Sequence, residues 1–522
     1  MKAEPMKKGR AWVELDMENL RHNVEVLRRL LPERCELMPS VKANAHGHGA
    51  VEICRELNAV GVRAFCVASA CEGVELRKNS IEGDILILGY THPEDFHLLG
   101  SYNLTQTVID LGYAELLDAY GRKAELLNAF SREAGSPGAY GRKAESLDAY
   151  CRESGSPGAC GRKAGSPGAY GGKAKALDAY GRKAEPPGAY GGKVEFTDAC
   201  GRKIDVHVKI DTGMNRLGLS AGSDHDIRDI LRVFEYGNLN IKGMYTHLCA
   251  QDGGDEKHRA FTRAQLKRFN DVLAAVKRHG YEIPKIHLQS SFAVFNLPGL
   301  DCDYARVGMA LYGVYRDAGS AESAESAGSA ESAGSAESAG SMESAGSVEN
   351  TGSENARSEN AGGAESARSI EGAGGGSKSY SIKNDYGLRP VLSVKARVSA
   401  VKTIRAGEAV GYELAFIADR EVRIAVLAIG YADGVPRALS RGAGFVLIDG
   451  RPAPFIGNIC MDQCVVDVTG ISGVAQGDEA VILGKSLGAE VSAYDIAEWA
   501  GTIPNEIVGR LGTRPERYQT TK

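Results

Sequence analysis

Short apolar runs alternate with longer stretches of helical periodicity through the first 315 residues of the chain. Leu20, Val24, Leu27 and Leu31 recur at the spacing of one helical face, and Asp16 is placed to cap that helix. Eight apolar runs have the length and composition of strands: 37–41, 64–68, 85–88, 105–109, 206–210, 241–246, 285–289 and 303–307. Helical patterns separate most of these runs. This order predicts a (β/α)8 barrel over residues 11–315.

The pattern changes after residue 380. Short runs at 392–401, 422–429, 445–448, 463–468 and 480–483 alternate or are apolar throughout, and Gly and Pro turns divide them. Such a sequence predicts a mostly β C-terminal domain, residues 381–522. The expected fold class is therefore α/β, a barrel followed by a β-rich domain.

Two segments interrupt this order with repeats. Residues 112–202 repeat with a period of ten, as in GRKAESLDAY at 141–150, and this period matches neither a helix nor a strand. Residues 316–380 repeat AESAGS and have almost no large apolar side chains. We interpret the first segment as a mobile insertion in the barrel and the second as a disordered linker. The alternative for 112–202 is an array that binds a partner through its Tyr, Lys and Arg side chains.

Composition and charge restrict the expected partners. The formal net charge of −5 at pH 7 gives no electrostatic reason to expect nucleic acid or an anionic membrane. No apolar run approaches the roughly 20 residues that cross a bilayer, and residues 1–10 do not look like a signal peptide. Even the closest cysteine pair, Cys460 and Cys464, lacks the partners of a zinc site. We expect reduced cysteines, no metal and a cytoplasmic location.

The active sites of (β/α)8 barrels lie at the C-terminal ends of the strands. At these ends the sequence has Lys42, Lys209 with Asp211, His247, Ser290 with Ser291, and Gly308. A lysine before a Gly-rich turn suits a Schiff base with an aldehyde cofactor, although a lone lysine is more often an ordinary solvated residue. The loops after the last two strands are a common phosphate site in this fold.

Five motifs resemble those of the alanine racemase family. They are KANAHGHG at 42–49, KIDTGMNR at 209–216, YTH at 245–247, IGYADG at 429–434 and MDQ at 461–463. Together, in this order and in both predicted domains, they are very specific, and the similarity covers nearly all of the chain outside the two repetitive segments. The resemblance implies a pyridoxal 5'-phosphate enzyme that interconverts L- and D-alanine for cell-wall peptidoglycan. It also implies a head-to-tail homodimer with shared active sites.

The resemblance implies two catalytic bases. Lys42 would hold the cofactor and handle the α-proton of the D-substrate, and Tyr412 from the other chain would be the base for the L-substrate. His247 would orient Tyr412, and Arg306 would face the pyridine nitrogen. Racemisation removes a proton from one face and returns one to the other, so a base on each side avoids turning the substrate over.

Other residues take family roles by position. The cofactor-binding set is Lys42, His46, Arg216, His247, Ser290, Ser291, Arg306, Gly308, Met309 and Asn505, and the substrate-binding set is Arg216, Tyr431, Met461 and Asp462. Lys209 resembles the family's carbamylated lysine, whose carbamate would hold Arg216. A lysine on an apolar strand needs a partner or a modification, which agrees with that role.

Three positions depart from the family pattern. His46 stands where the family usually has a phosphate-binding Tyr, and Ser290 stands where Asn is usual. Asn505 stands where the family usually has Tyr, and it leaves room and hydrogen-bonding capacity beside the substrate's β-carbon. The serine/alanine racemases of vancomycin resistance look similar here, so serine racemase or dual serine/alanine racemase activity is the alternative function.

Three other functions fit the sequence less well. An amino-acid decarboxylase on the same type of barrel would need a cysteine-containing partner motif, whereas Tyr412 and the Met461-Asp462 pair fit racemisation better. A non-catalytic pyridoxal phosphate carrier resembles a lone barrel, so the β-rich domain argues against it. A binding protein with an inactive barrel is disfavoured by the joint presence of Lys42, Tyr412, Arg306 and His247.

Overall fold

The computed structural model describes residues 9–134, 202–250, 256–297, 299–315 and 386–520, which belong to one packed unit. The predicted linker, 316–380, lies outside the described residues, as does the repetitive segment from 135 to 201. Their predicted mobility stays a prediction, as do the domain boundaries predicted at residues 315–316 and 380–381.

Eight parallel strands form a closed barrel. They are Glu36–Leu37, Ala64–Val67, Asp84–Ile87, Thr105–Val108, Ile204–Asp211, Leu239–Tyr245, Lys285–His287 continued by Gln289–Ser290, and Tyr304–Arg306. The last strand pairs with the first through Ala305 and Leu37, and a bridge between Ser40 and Cys66 joins the first strand to the second. The predicted (β/α)8 barrel is confirmed.

Helices cover the outside of the barrel, so both faces of its strands are buried and the strands appear in the sequence as short apolar runs. The helical segments are Met17–Leu30, Lys42–His46, Ala50–Ala59, Ala70–Lys78, Pro93–Asp95, His97–Ser101, Leu111–Ala134, Asp224–Glu235, Glu256–Arg278 and Ser291–Asn296. Asp16 caps the first helix, as predicted, because its carboxylate accepts a hydrogen bond from Asn19 N–H at 2.9 Å.

One expectation about the repetitive segment is wrong at its start. The helix Leu111–Ala134 extends into the ten-residue repeat, which the sequence pattern predicts to be non-helical. Tyr113, Ala114 and Leu117 are buried against the barrel. These side chains lie on one helical face, and their burial outweighs the helix-breaking tendency of Gly112 and Gly121.

The C-terminal region is a β domain, as predicted. Its main sheet has the strand order Ala489–Val491, Glu479–Ser486, Phe445–Ile448, Arg451–Ile456, Cys464–Asp467, Val422–Leu427, Leu392–Ile404, Ala11–Asp16, Glu516–Thr520. A small hairpin pairs Ala409–Val410 with Phe416–Ile417, and the remaining elements are Tyr412–Leu414, Tyr431–Asp433, Arg437–Leu439, Ala493–Ala500 and Pro504–Gly509.

The first strand of the chain belongs to this β domain and not to the barrel. Ala11–Asp16 lies between Leu392–Ile404, to which it is antiparallel, and Glu516–Thr520, to which it is parallel. The sequence pattern assigns residues 11–16 to the barrel because it carries no information about distant strand partners. In the part of the chain that the structure describes, no helix is long and apolar enough to cross a membrane.

Candidate active site

Lys42 lies at the C-terminal end of the first barrel strand, where the backbone enters a left-handed turn. Ala43, Asn44, Ala45 and His46 have φ values of 51, 53, 53 and 51°. This conformation costs roughly 1–2 kcal/mol for each residue with a Cβ, so the turn needs contacts that hold it. The Lys42 side chain is exposed and makes no hydrogen bond or ion pair with the described residues.

Contacts from other segments hold this turn in place. Asn44 Oδ1 accepts a hydrogen bond at 2.7 Å from the N–H of Ala50, at the start of the next helix. Arg517, on the last strand, donates to the Gly47 carbonyl at 2.8 Å. A Cβ on Gly47 would lie 2.0 Å from the Val508 carbonyl oxygen, so only glycine fits there. The β domain therefore helps to shape the Lys42 turn.

The loops after the last two barrel strands bring Ser291 and Gly308 together. Ser291 Oγ accepts hydrogen bonds from Gly308 N–H at 3.0 Å and Ala310 N–H at 3.4 Å, which leaves its own proton to donate. The His46 ring lies 3.8 Å from where a Gly308 Cβ would be, and its buried Nδ1 has no partner among the described residues. Burial, aided by Lys42, lowers the pKa of His46 to about 4. The Ser291 hydroxyl, Gly308 and the Cε1–Nε2 edge of the His46 ring fit an anionic group such as phosphate.

The other predicted phosphate-side residues lie on elements next to these loops or to the Lys42 turn. Ser290 is buried at the end of its strand, and Met309 packs against the core. Asn505 is exposed on the helix Pro504–Gly509, which packs against the segment Lys42–His46.

Arg306 is buried inside the barrel and donates to neutral acceptors. Its Nη1 donates to Nδ1 and O of His287, both at 2.7 Å. Its Nη2 donates to the Thr246 carbonyl at 2.7 Å and to His247 Nδ1 at 3.4 Å. No carboxylate of the described residues bonds to it, and burial lowers the pKa of Arg306 from its ordinary value.

These bonds fix the tautomers of two buried histidines. Arg306 can only donate, so His287 accepts at Nδ1 and carries its proton on Nε2. That proton is donated to His207 Nδ1 at 2.8 Å. Burial lowers the pKa of His207 to about 3 and that of His287 well below 6.5. Arg306 is therefore held by a chain of uncharged side chains.

The side chains of Lys209 and Arg306 both lie over the aromatic ring of Tyr245. Lys209 Nζ and Arg306 Cζ lie 5.0 and 4.9 Å from the centre of the Tyr245 ring. Lys209 is buried, and no carboxylate of the described residues pairs with it. Burial, then Arg306 and Arg216, lowers the pKa of Lys209 to about 8. A buried amine of this kind is partly neutral near physiological pH and therefore nucleophilic.

Asp211 shapes the loop that carries Arg216 to the barrel rim. Its carboxylate accepts hydrogen bonds from the backbone of Gly213 at 2.8 Å, Asn215 at 3.1 Å and Arg216 at 3.1 Å. Arg216 is exposed there. Nearby, burial and then the charge of Arg306 lower the pKa of His247 to about 3, so this ring is neutral.

The β domain exposes its predicted site residues. Tyr412, Tyr431 and Met461 are 70%, 42% and 53% exposed. Ala432 N–H donates to the Met461 carbonyl at 3.0 Å, which joins the turns of Tyr431 and Met461. The Asn458 side chain donates a hydrogen bond to the backbone carbonyl of Tyr412, at 3.2 Å. Within the described residues of one chain, the Tyr412 hydroxyl bonds to nothing.

Two arginines from opposite ends of the chain hold the turns of Tyr431 and Met461. Arg10 forms a bidentate pair with the fully buried carboxylate of Asp433, at 2.6 and 3.0 Å. Arg514 pairs with Asp433 at 3.5 Å and with Asp462 at 2.7 Å. Asp462 therefore serves an internal ion-pair network, in addition to its predicted place near the substrate.

Sequence reasoning missed His207, His287 and the Arg10–Asp433 pair. One signal was available: His207 and Lys209 alternate on an apolar strand and therefore point to the same face. The partner of Asp433 lies far away in sequence and leaves no local pattern. Among the described residues, no cluster of His, Cys, Asp or Glu is arranged to hold a metal ion.

Comparison with known proteins identifies the family. The chain matches the N-terminal domain of alanine racemase at residues 15–129 and 188–316, and the C-terminal domain at residues 391–519. It is 30% identical over 506 residues to the alanine racemase of Carboxydothermus hydrogenoformans, covering 97% of this chain and 98% of that protein. It is 32% identical over 505 residues to an amino-acid racemase of Enterococcus faecalis, covering 97% of this chain. The chain spans about half the length of that relative.

Solved structures share the fold. The alanine racemase of Clostridium difficile 630 superposes with a TM-score of 0.66 at 24% identity, covering 98% of this chain and 96% of that one. The alanine racemase of Bacillus anthracis with bound L-Ala-P has a TM-score of 0.66 at 20% identity, covering 99% and 97%. The barrel, the β domain and the two family matches agree, and the chain belongs to the alanine racemase family.

Proposed function

We propose that this protein interconverts L- and D-alanine with pyridoxal 5'-phosphate by a two-base mechanism, and that it supplies D-alanine for peptidoglycan from the cytoplasm. The observation that supports this proposal is the set of residues at one rim of the barrel. This rim holds Lys42, the Ser291–Gly308 cradle and the buried Arg306 at the C-terminal strand ends. The relatives named above support it.

The barrel residues fit this cofactor. Ser291, Gly308 and His46 would hold the phosphate, with Ser290, Met309 and Asn505 around it. Arg306 would face the pyridine nitrogen, and Lys42 would carry the cofactor. When bound, pyridoxal phosphate supplies the electron sink that makes the substrate's α-proton acidic.

Arg306 would influence the proton state of the cofactor's ring nitrogen. Its guanidinium keeps its proton, since its free pKa lies far above physiological pH. Its acceptors are neutral, so no anion among the described residues that it contacts cancels its charge. A positive donor at this position opposes protonation of the pyridine nitrogen, which weakens the electron sink and limits side reactions such as transamination.

Lys42 and Tyr412 would exchange the α-proton from opposite faces. Since the Tyr412 hydroxyl bonds to nothing in the described part of its own chain, we assign it to the site of a second subunit in a homodimer. There His247 is neutral and its Nδ1 accepts from Arg306, so its proton lies on Nε2, from which it would donate a hydrogen bond to the phenol oxygen. Tyr431, Met461 and Asp462 would approach the substrate from the same subunit as Tyr412.

Arg216 would bind the cofactor's phenolic oxygen and the substrate's carboxylate. Lys209 lies near enough to Arg216 for the arginine's charge to lower the pKa of the lysine, which is unfavourable for two cations without a counterion. Carbamylation would resolve this repulsion. The neutral Lys209 amine adds to carbon dioxide, a proton is released, and the resulting anion faces Arg216.

A dual alanine/serine racemase is the second candidate. Asn505 replaces the usual bulky phenol on the helix that packs against the Lys42 turn, and the matching relative in Enterococcus faecalis is named an amino-acid racemase. A site not built against one hydroxyl discriminates by only about a hundred-fold.

The deciding experiment joins an absorbance spectrum of the purified protein to polarimetry on L-alanine and L-serine. We expect a visible cofactor band and racemisation of alanine. A preparation that neither captures pyridoxal phosphate nor racemises alanine would contradict the proposal. Activity on serine lower by more than about a thousand-fold would exclude the dual function, since that exceeds unassisted discrimination. Asn505→Tyr should lower the serine-to-alanine ratio, whereas Asn79→Tyr, on a distant helix end, should not.

A further inference from the structure

The hydrogen-bond ladder between the first two barrel strands is interrupted beside Lys42. Cys66 donates to the Pro39 carbonyl at 2.8 Å and accepts from Val41 N–H at 2.9 Å, which is the parallel pattern. Its continuation would pair Ala68 N–H with the Val41 carbonyl, and Ala43 N–H with the Ala68 carbonyl. Neither bond forms between these described residues.

A single carboxylate replaces the missing bonds. The Val41 carbonyl accepts from Ala45 N–H at 2.8 Å, because the backbone turns left-handed. Glu72 Oε1 then accepts from Ala43 N–H at 2.7 Å, and its Oε2 accepts from Ala68 N–H at 2.7 Å. Glu72 therefore joins the end of the first strand to the end of the second.

Helix capping explains only half of this arrangement. Ser69 caps the helix Ala70–Lys78, and a Glu at the third helical position commonly reaches back toward the helix start. The bond to Ala68, the residue just before the cap, is a local variant of that pattern. The bond to Ala43 is not, since it crosses to another strand and ends on the peptide group that directly follows Lys42.

We propose that Glu72 is a positioning residue for Lys42. The peptide between Lys42 and Ala43 fixes the direction in which the Lys42 side chain leaves the backbone. A hydrogen bond from that peptide to a carboxylate is stronger than a bond to a neutral acceptor. It stabilises a turn whose left-handed residues would otherwise relax. The functional meaning rests on the role proposed for Lys42.

The test compares E72Q with E56Q. The amide that E72Q introduces has one acceptor oxygen, so one of the two N–H groups would face another donor. E56Q removes the carboxylate that pairs with Arg21 at 2.5 Å, away from Lys42. In E72Q we expect kcat for alanine to fall by about 10- to 100-fold, the cost of misplacing a reacting group, with a smaller change in KM. The cofactor band should also develop more slowly on adding pyridoxal phosphate to the apoprotein. E56Q should change neither.

Hydrogen exchange supplies a readout that needs no activity. Peptides covering 40–49 and 66–69 should exchange faster in E72Q than in the wild type or E56Q. Unchanged exchange in these peptides would overturn the proposal, as would wild-type kcat and cofactor capture in folded E72Q. If the wild type itself neither binds cofactor nor racemises alanine, the proposed function fails, but exchange still decides whether Glu72 holds the turn. If E72Q does not fold, E72D replaces it, because its shorter arm cannot span both N–H groups. Wild-type kinetics in E72D would equally overturn the inference.

Discussion

The two proposed bases are held in opposite ways. Hydrogen bonds of three side chains of the same chain hold the turn after Lys42: Glu72 and Asn44 accept from backbone N–H groups, and Arg517 donates to the Gly47 carbonyl. Among the described residues, Tyr412 forms hydrogen bonds only through its backbone carbonyl, and 70% of its surface is exposed. One half of the site is therefore formed within the chain. The other half is an exposed phenol, which in the proposed homodimer would reach the reaction only on the surface of a second subunit.

Mixing two inactive variants would break this comparison most directly. K42A and Y412F should each lose at least about a thousand-fold in activity, because each removes one proton-transfer group. If each site takes Lys42 from one subunit and Tyr412 from the other, a hybrid dimer contains one intact site. After random exchange, about a quarter of wild-type activity should return, as expected for a two-fold dimer. Sites built within one chain would restore nothing, and mixing K42A with itself is the control.

The next largest effect tests how firmly the β-domain half is built. D433N removes the buried partner of Arg10 and Arg514. The substitution weakens charge-assisted hydrogen bonds at a buried acceptor and leaves two partly exposed arginines, so it should cost about 1–3 kcal/mol in the free energy of unfolding, measured by urea denaturation. The KM for alanine should rise because the turns of Tyr431 and Met461 loosen. D419N, which removes an exposed partner of Arg420, should do neither. Wild-type stability in D433N would show that the network does not hold this half.

A substitution in the barrel half should change the course of the reaction more than its rate. R306E replaces a cation that opposes protonation of the ring nitrogen with an anion that favours it, and each pKa unit gained there is worth about tenfold in the protonated fraction. We expect more half-transamination per racemisation event, measured from the ratio of pyruvate to D-alanine. An unchanged ratio would refute the role given to Arg306. The control is R216K, which alters the barrel rim but keeps the positive charge of Arg306, so it should leave the ratio unchanged.

The smallest expected effect concerns Lys209. The neutral amine fraction of Lys209 grows as pH rises through its pKa of about 8, so carbamate should form faster there than at lower pH. With ¹³C-bicarbonate, we expect a carbamate carbon signal that strengthens over about two pH units around that pKa. K209M should abolish the signal. A wild-type protein with no such signal would require another anion near Arg216.

The barrel was predictable because each strand is buried on both faces and each forms a separate apolar run. The site residues on the strand ends followed from the barrel rule together with the motifs. The contacts that fix their geometry did not follow. Glu72 and Ala43 are 29 positions apart, and Arg10 and Asp433 are 423 apart, so no local pattern records either pair.

The prediction that the ten-residue repeat is non-helical is wrong at its start for a similar reason. Its composition is that of a loop, but Tyr113 and Leu117 find a buried surface on the barrel. Tertiary packing decides the conformation of such borderline segments, and period alone does not show where packing ends.

The strand Ala11–Asp16 limits how this protein can be divided. It separates Leu392–Ile404 from Glu516–Thr520, so a fragment that starts after residue 16 would leave the last strand with no neighbour and open a hydrogen-bonding edge on the sheet. If the barrel, with residues 11–16 attached, and the β domain were produced as two separate polypeptides, the β-domain fragment would therefore be prone to association. Engineering by fusion or truncation should keep these six residues with the C-terminal half.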